Sequence, residues 1–294
     1  MTEPGSVSIG RSIITALLCS WALAGFVTLV VYVLVSHDAV IDVDLSLGTI
    51  LPFIAIGFAA QLVDGSLGIG FGIISNLALL SLGLPPMAAA TGVRTVEGFV
   101  CGASAASHAW LRNVDWRVFS LLVAPGIIGS LIGAYLATRL PIYYVRPAIY
   151  TYLIVVACLT IWRALRGTLR PKRSEEVGVL GLTGGFFDTA GGGGWGPMVG
   201  GTLLLQGMEP RIVVGTVAVS EFFVTIAISV LLIGVLGAMA FTTAAVGLLL
   251  GGVFAAPLAA VLSRRIETRL HRLAIAGLLL VLACGGMVRL FLML

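Results

Sequence analysis

The chain has 294 residues, 59% of them hydrophobic and only 10% charged, against roughly 45–50% and 25% in ordinary soluble domains. That balance excludes a soluble globular domain and reads as an all-α polytopic membrane protein with several apolar runs of about 20 residues, enough to cross about 30 Å of hydrocarbon. The formal charge of +4 reads as a loop bias towards the cytoplasm, because the clustered basic and aromatic positions of a nucleic-acid surface are absent.

The first unit, residues 1–46, opens on a short polar stretch and continues into an apolar run over 13–35. The run is too long for a signal-peptide core and has no small-residue cleavage site after it, so it is expected to remain as a transmembrane helix with a cytoplasmic N-terminus. The loop that follows carries Asp38, Asp42 and Asp44 and no Lys or Arg, whereas the stretch 163–173 holds Arg163, Arg166, Arg170, Lys172 and Arg173. The positive-inside rule places the first outside and the second inside.

Residues 47–166 then read as one repeat: an interrupted segment over 47–84, followed by helices near 87–110, 118–139 and 143–163. A basic cytoplasmic linker, 167–176, leads to a second repeat over 177–294, interrupted over 177–208 and followed by helices near 212–235, 238–262 and 270–292. Each interrupted segment is too long for one straight crossing. The expectation is a broken, re-entrant hairpin of two half-helices, the first ending near Asp64 and the second starting near Ile73, although two full crossings remain open. Either way each repeat makes an odd number of passes, so the repeats are expected to be inverted. The loop with Arg139 and Arg146 then falls outside, against the charge rule, and the uncharged turn at Gly237 falls outside in accord with it.

An offset of 124 residues supports the duplication. It carries Asp64 onto Asp188, Glu97 onto Glu221, and Gly68, Gly70, Gly72, Gly83 and Pro86 onto Gly192, Gly194, Gly196, Gly207 and Pro210. Paired glycine-interrupted segments in two halves point to a transporter binding site. The free N–H groups at the start of a second half-helix would suit an anion, so Gly68, Gly70, Gly72, Gly192, Gly193, Gly194 and Gly196 are candidate substrate-binding positions, with Arg94. Packing between helices is the plainer use of such glycines. Asp64, Asp188, Glu97 and Glu221 are candidate gating or proton-coupling groups, since ionisable side chains at membrane depth are costly and usually functional. The plainer reading of the two aspartates is that each ties down its glycine loop, and that of Arg94 is an ion pair with Glu97 three residues on.

Arg94, Glu97, Cys101, Ser104 and His108 share one helical face, on which His108 reads as solvated near the cytoplasmic mouth. The four cysteines, Cys19, Cys101, Cys158 and Cys284, form no C-x-x-C pair and read as small packing residues, with neither a disulfide nor a metal site. No HExxH or GxSxG motif is present, so an enzyme is not expected, and no cofactor is implied.

The glycine-rich hairpin followed by LGLPP at 82–86 and RNVDWR at 112–117, and the repeated half with FDTAGGGGWGP at 187–197 and SEFFVT from Ser220, resemble the TauE/SafE sulfite exporter family over roughly residues 52–291. The resemblance implies a multi-pass permease of the plasma (inner) membrane for small sulfur-containing anions such as sulfite or organosulfonates, often exporting them, with proton coupling as the companion reading of the buried acids. Its implied partners are a small anionic solute and the lipid bilayer, with no nucleic acid; a homo-oligomer is compatible with it. Ile69 and Phe71 interrupt the glycines of the first repeat, a departure from the family's commonest pattern. A cation or metal-ion transporter and an anion channel are the alternatives.

Overall fold

A computed structural model describes residues 41–42, 44–137, 142–166, 176–191, 194–236 and 241–292. The expected helix over 13–35, most of the basic linker, Arg139, Gly192, Gly193 and the turn at Gly237 lie outside the described residues. Within them the chain is nearly all helical: α1 (Leu47–Leu67), α2 (Phe71–Ser81), α3 (Pro86–Trp110), α4 (Trp116–Ala137), α5 (Ile142–Arg166), α6 (Val177–Gly191), a π-helical turn (Gly196–Gly200) running into α7 (Gly201–Leu205), α8 (Pro210–Leu236), α9 (Thr243–Arg265) and α10 (Thr268–Leu292). Six of these, α1, α4, α5, α8, α9 and α10, contain stretches long and apolar enough to cross a membrane. The length of α3 also suffices, at 25 residues or about 37 Å, but its polar stripe dilutes the hydropathy.

Hairpin one is less symmetric than expected. Its first arm, α1, has 21 residues, about 31 Å, and so is a full-length helix, while α2 has 11. The helix runs past Asp64 to Leu67. It stops where Gly68 (φ 75°) and Gly70 (φ 118°) turn left-handed, a region open to glycine at no steric cost. Hairpin two has a 15-residue first arm. Its second arm opens with Pro197 in the first turn, where a missing N–H costs nothing. Each hairpin is followed by a helix that begins on proline, Pro86 or Pro210.

A feature absent from the sequence expectation is a two-residue parallel ladder, Ile41–Asp42 with Phe241–Thr242, which brings the starts of α1 and α9 together. The Asp44 N–H donates to Thr243 Oγ1 at 2.8 Å, and Thr242 caps α9 by accepting the Ala245 N–H. That cap starts α9 at residue 243 instead of near 238. The Ser46 N–H, helped by the Thr49 and Ser46 hydroxyls, holds the exposed Asp44 carboxyl below the usual carboxylate range.

The helix pairing crosses between the two halves. Along α1 and α9, Gly247 sits over Ile50, Gly251 over Ile54 and Ala259 over Gly65; along α4 and α6, Gly129 sits over Leu182 and Gly133 over Phe186. Both pairs therefore run parallel, and glycine at the crossings lets the backbones approach. The remaining long helices pair α3 with α8 and α5 with α10. Shifting the numbering by the same offset maps α3 onto α8 and α5 onto α10 to within two residues, and exchanges α1/α9 with α6/α4 with helix ends displaced by up to six. Exposed Leu121, Ile128 and Ile132 on α4, Val155 and Leu159 on α5, Phe254 and Leu258 on α9 and Val281 on α10 form the apolar exterior that a bilayer covers.

Candidate functional site

The two breaks meet in the middle of the molecule. A side-chain carbon placed on Gly196 would lie 2.5 Å from the Gly68 carbonyl oxygen, and one on Gly68 would touch Val214. Beside this junction lies a cavity of about 210 Å³ whose walls include Asp64, Gly70, Gly72, Arg94, Glu97, Cys101, Asp188, Gly194, Gly196 and Glu221. These ten wall positions are residues singled out in the sequence, and they come from both halves. Gly68 is the exception, spent on packing the junction, and Gly192 and Gly193 fall outside the described residues.

The acids near the breaks have well-defined partners. Asp188 Oδ1 accepts the N–H groups of Gly194 at 2.7 Å and Trp195 at 2.9 Å. The Asp64 carboxyl faces the N–H groups of Phe71 and Gly70, positions that the offset maps onto Trp195 and Gly194. Each aspartate thus leaves the end of one arm, where the helix dipole would oppose it, and folds over to the positive N-terminus of the next. Two of the N–H groups that hairpin two could offer a substrate are consequently held by the protein's own carboxylate, and in hairpin one the carboxylate faces the matching pair. Those of Gly72 and Ile73, in the first turn of α2, have no intrahelical partner and line the cavity.

Arg94 Nη1 lies 3.3 Å from Glu97 Oε2, and the two side chains are 44% and 15% accessible. The pair faces the cavity instead of being sealed in the core, which leaves the guanidinium further donors for a guest. Glu97 also reaches the second arm, since a side-chain carbon on Gly72 would lie 3.2 Å from its Oε1. Glu221 has no hydrogen-bond or ion-pair partner among the described residues. With four carboxyl groups and one guanidinium, the walls carry a formal excess of acid. Among the described residues no three His, Cys, Asp or Glu side chains are grouped closely enough to hold a metal ion.

Residues 53–285 match the family model for the sulfite exporter TauE/SafE, well over half of the chain. The chain belongs to the TauE/SafE family. It is also similar to the probable membrane transporter protein YtnM of Bacillus subtilis (strain 168), with 34% identity over 240 residues, covering 79% of this chain and 80% of that one. No solved structure matches it. This TauE/SafE protein is accordingly a multi-pass membrane transporter.

Several residues of the transporter's site region carry little or no signal in the sequence. Asn76 lines the cavity and donates to the Gly72 carbonyl at 2.8 Å; its only signal is one amide in an apolar run. Cys101, read as packing, is a cavity wall. His108 requires a correction: it is fully buried, its Nε2 is 2.8 Å from the Gly65 carbonyl, and its Nδ1 is 3.2 Å from Asn113 Nδ2. His271, from α10, places Nε2 2.7 Å from the Ser66 carbonyl. These are carbonyls that the break at Gly68 deprives of their i+4 donors, and burial would make them expensive to leave unmet. The first break is therefore capped by two imidazoles, whereas the offset places Leu232 opposite His108.

A direct consequence is testable by substitution. His108→Leu removes the donor and leaves a buried carbonyl unsatisfied, a cost of about 1–3 kcal/mol, whereas His108→Gln keeps an N–H to give. Thermal unfolding of the purified protein is expected to show a clear drop for the leucine variant and substantial recovery for glutamine. Equal losses for both would show that ring packing, and not the hydrogen bond, sets the role.

Proposed function

We propose that this cavity holds a small sulfur-containing anion, such as sulfite or an organosulfonate, during proton-coupled transport across the plasma membrane. One observation carries the reading: matched motif residues of both halves line a single cavity, and Arg94, present in the first half alone, lines it with them. Arg94 and the first-turn N–H groups of Gly72 and Ile73 would hold the anion. The excess of acid does not oppose this in full, because Asp188 is bonded to two backbone N–H groups, Asp64 faces two more and Glu97 is paired with Arg94. Glu221 is left as the group to take and release a proton as the anion moves. The helix pairing supports two inverted repeats, residues 47–166 and 177–294, related by an axis through the cavity, with gating by one hairpin against the other.

The formal surplus of carboxyls favours a second reading, in which the solute is a monovalent cation. Reconstituted vesicles separate the two. Labelled sulfite and methanesulfonate are expected to enter or leave, and Arg94→Gln should weaken their handling about ten- to hundredfold, as loss of a charged hydrogen bond worth about 1.5–3 kcal/mol implies. Cation flux with no anion flux, unaffected by Arg94→Gln, would select the other reading.

A further inference from the structure

A second polar pocket lies away from the transport cavity, at the point where the first turns of α8 and α10 meet the end of α9. We infer that it is a binding site for one small oxyanion of the sulfate or phosphate type, whether a free ion or the phosphate of a lipid headgroup. Its volume is about 80 Å³, room for one such group or for several waters, each of which needs at least about 10–15 Å³.

The walls are suited to negative charge in three ways. Arg211 and Arg264 line the pocket. Glu209, the one acid in the wall, is paired with Arg211 and also faces Arg272, so the local balance stays positive, opposite in sign to the transport cavity. The first turns of α8 and α10 contribute the positive ends of two long helices. Ser263, only 1% accessible, lines the pocket with its Oγ lacking any hydrogen-bond partner. A buried hydroxyl without a partner is uncommon, and a bound oxyanion supplies the missing acceptor, with Thr268 as a second hydroxyl in the wall.

The pocket also bears on transport geometry. Its wall residue His271 is the one that bonds the Ser66 carbonyl at the first break, so an occupant contacts the element that fixes the end of α1.

The experiment uses the full chain purified in detergent, with inorganic sulfate and inorganic phosphate as probes, followed by calorimetry and thermal unfolding. Binding is expected in the wild type and in Arg94→Gln, with at least a tenfold loss of affinity in the double variant Ser263→Ala/Arg264→Gln. Arg265→Gln, which removes an exposed charge outside the pocket, should bind as wild type and shows whether net charge alone matters. A headgroup source is tested in nanodiscs: stabilisation by phosphatidylglycerol over phosphatidylcholine should appear in the wild type and vanish in the double variant. The inference is overturned if Arg94→Gln abolishes all binding while the double variant retains it, if Arg265→Gln matches the double variant, or if neither ions nor phosphatidylglycerol distinguish the double variant from wild type. Failure of the transport reading alone would leave the Arg94→Gln arm unchanged.

Discussion

Gly196→Ala is expected to abolish transport and to lower the unfolding temperature, whereas Gly194→Ala, two residues away, should leave the unfolding temperature close to wild type. The difference lies in what a methyl group would meet. At position 196 it would lie 2.5 Å from the Gly68 carbonyl oxygen, and that oxygen belongs to backbone already held in a left-handed turn. Neither partner is a flexible side chain, so relief requires moving one break relative to the other, at a cost of roughly 1–3 kcal/mol or more. At position 194 the nearest atoms are 3.8 Å away, ordinary contact distance. Solute flux in reconstituted vesicles and thermal unfolding of the same preparations provide the comparison. Wild-type behaviour of Gly196→Ala would show that the two breaks do not depend on their contact.

Glu221→Gln should remove the pH dependence of net transport without preventing folding or solute binding. Among the cavity acids Asp188 holds two backbone N–H groups, Asp64 faces two and Glu97 holds Arg94; Glu221 has no hydrogen-bond or ion-pair partner among the described residues. The position that matches Arg94 in the second half is Ala218, so Glu221 has no arginine three residues before it on its own helix. Glutamine reproduces the size and hydrogen bonding of the neutral acid but has no proton to exchange. Net flux down a pH gradient is expected to collapse while solute exchange at equal pH persists. An unchanged pH profile would assign Glu221 a structural role and move the search for a coupling group to Glu97.

Much of the site is legible in residue order because the chain states it twice. A 124-residue offset through Asp64/Asp188, Glu97/Glu221 and the glycines marks both breaks, and they form within a few residues of the expected places. What the offset does not show is where each acid points. Asp64 and Asp188 sit near the ends of first arms in sequence, yet their oxygens serve the starts of second arms, a choice made by the turn geometry at Gly68 and Gly70. His271 and Ser66 are 205 residues apart, and no local pattern relates them.

Residue order marks this chain as a helical membrane protein whose glycine-acid motifs recur at a fixed offset, because hydrophobic length and such motifs are local properties. It also singled out most of the cavity wall, since charge inside an apolar helix is conspicuous wherever that helix packs. That α1 lies along α9 and α6 along α4, that one break is capped by His108 and His271, and that α1 runs full length emerges only from the packed chain. The physical reason is that helices in lipid are apolar on most faces, so periodicity does not say which face meets which neighbour; that choice is made by small residues fitting backbone to backbone and by buried carbonyls finding donors far away in sequence.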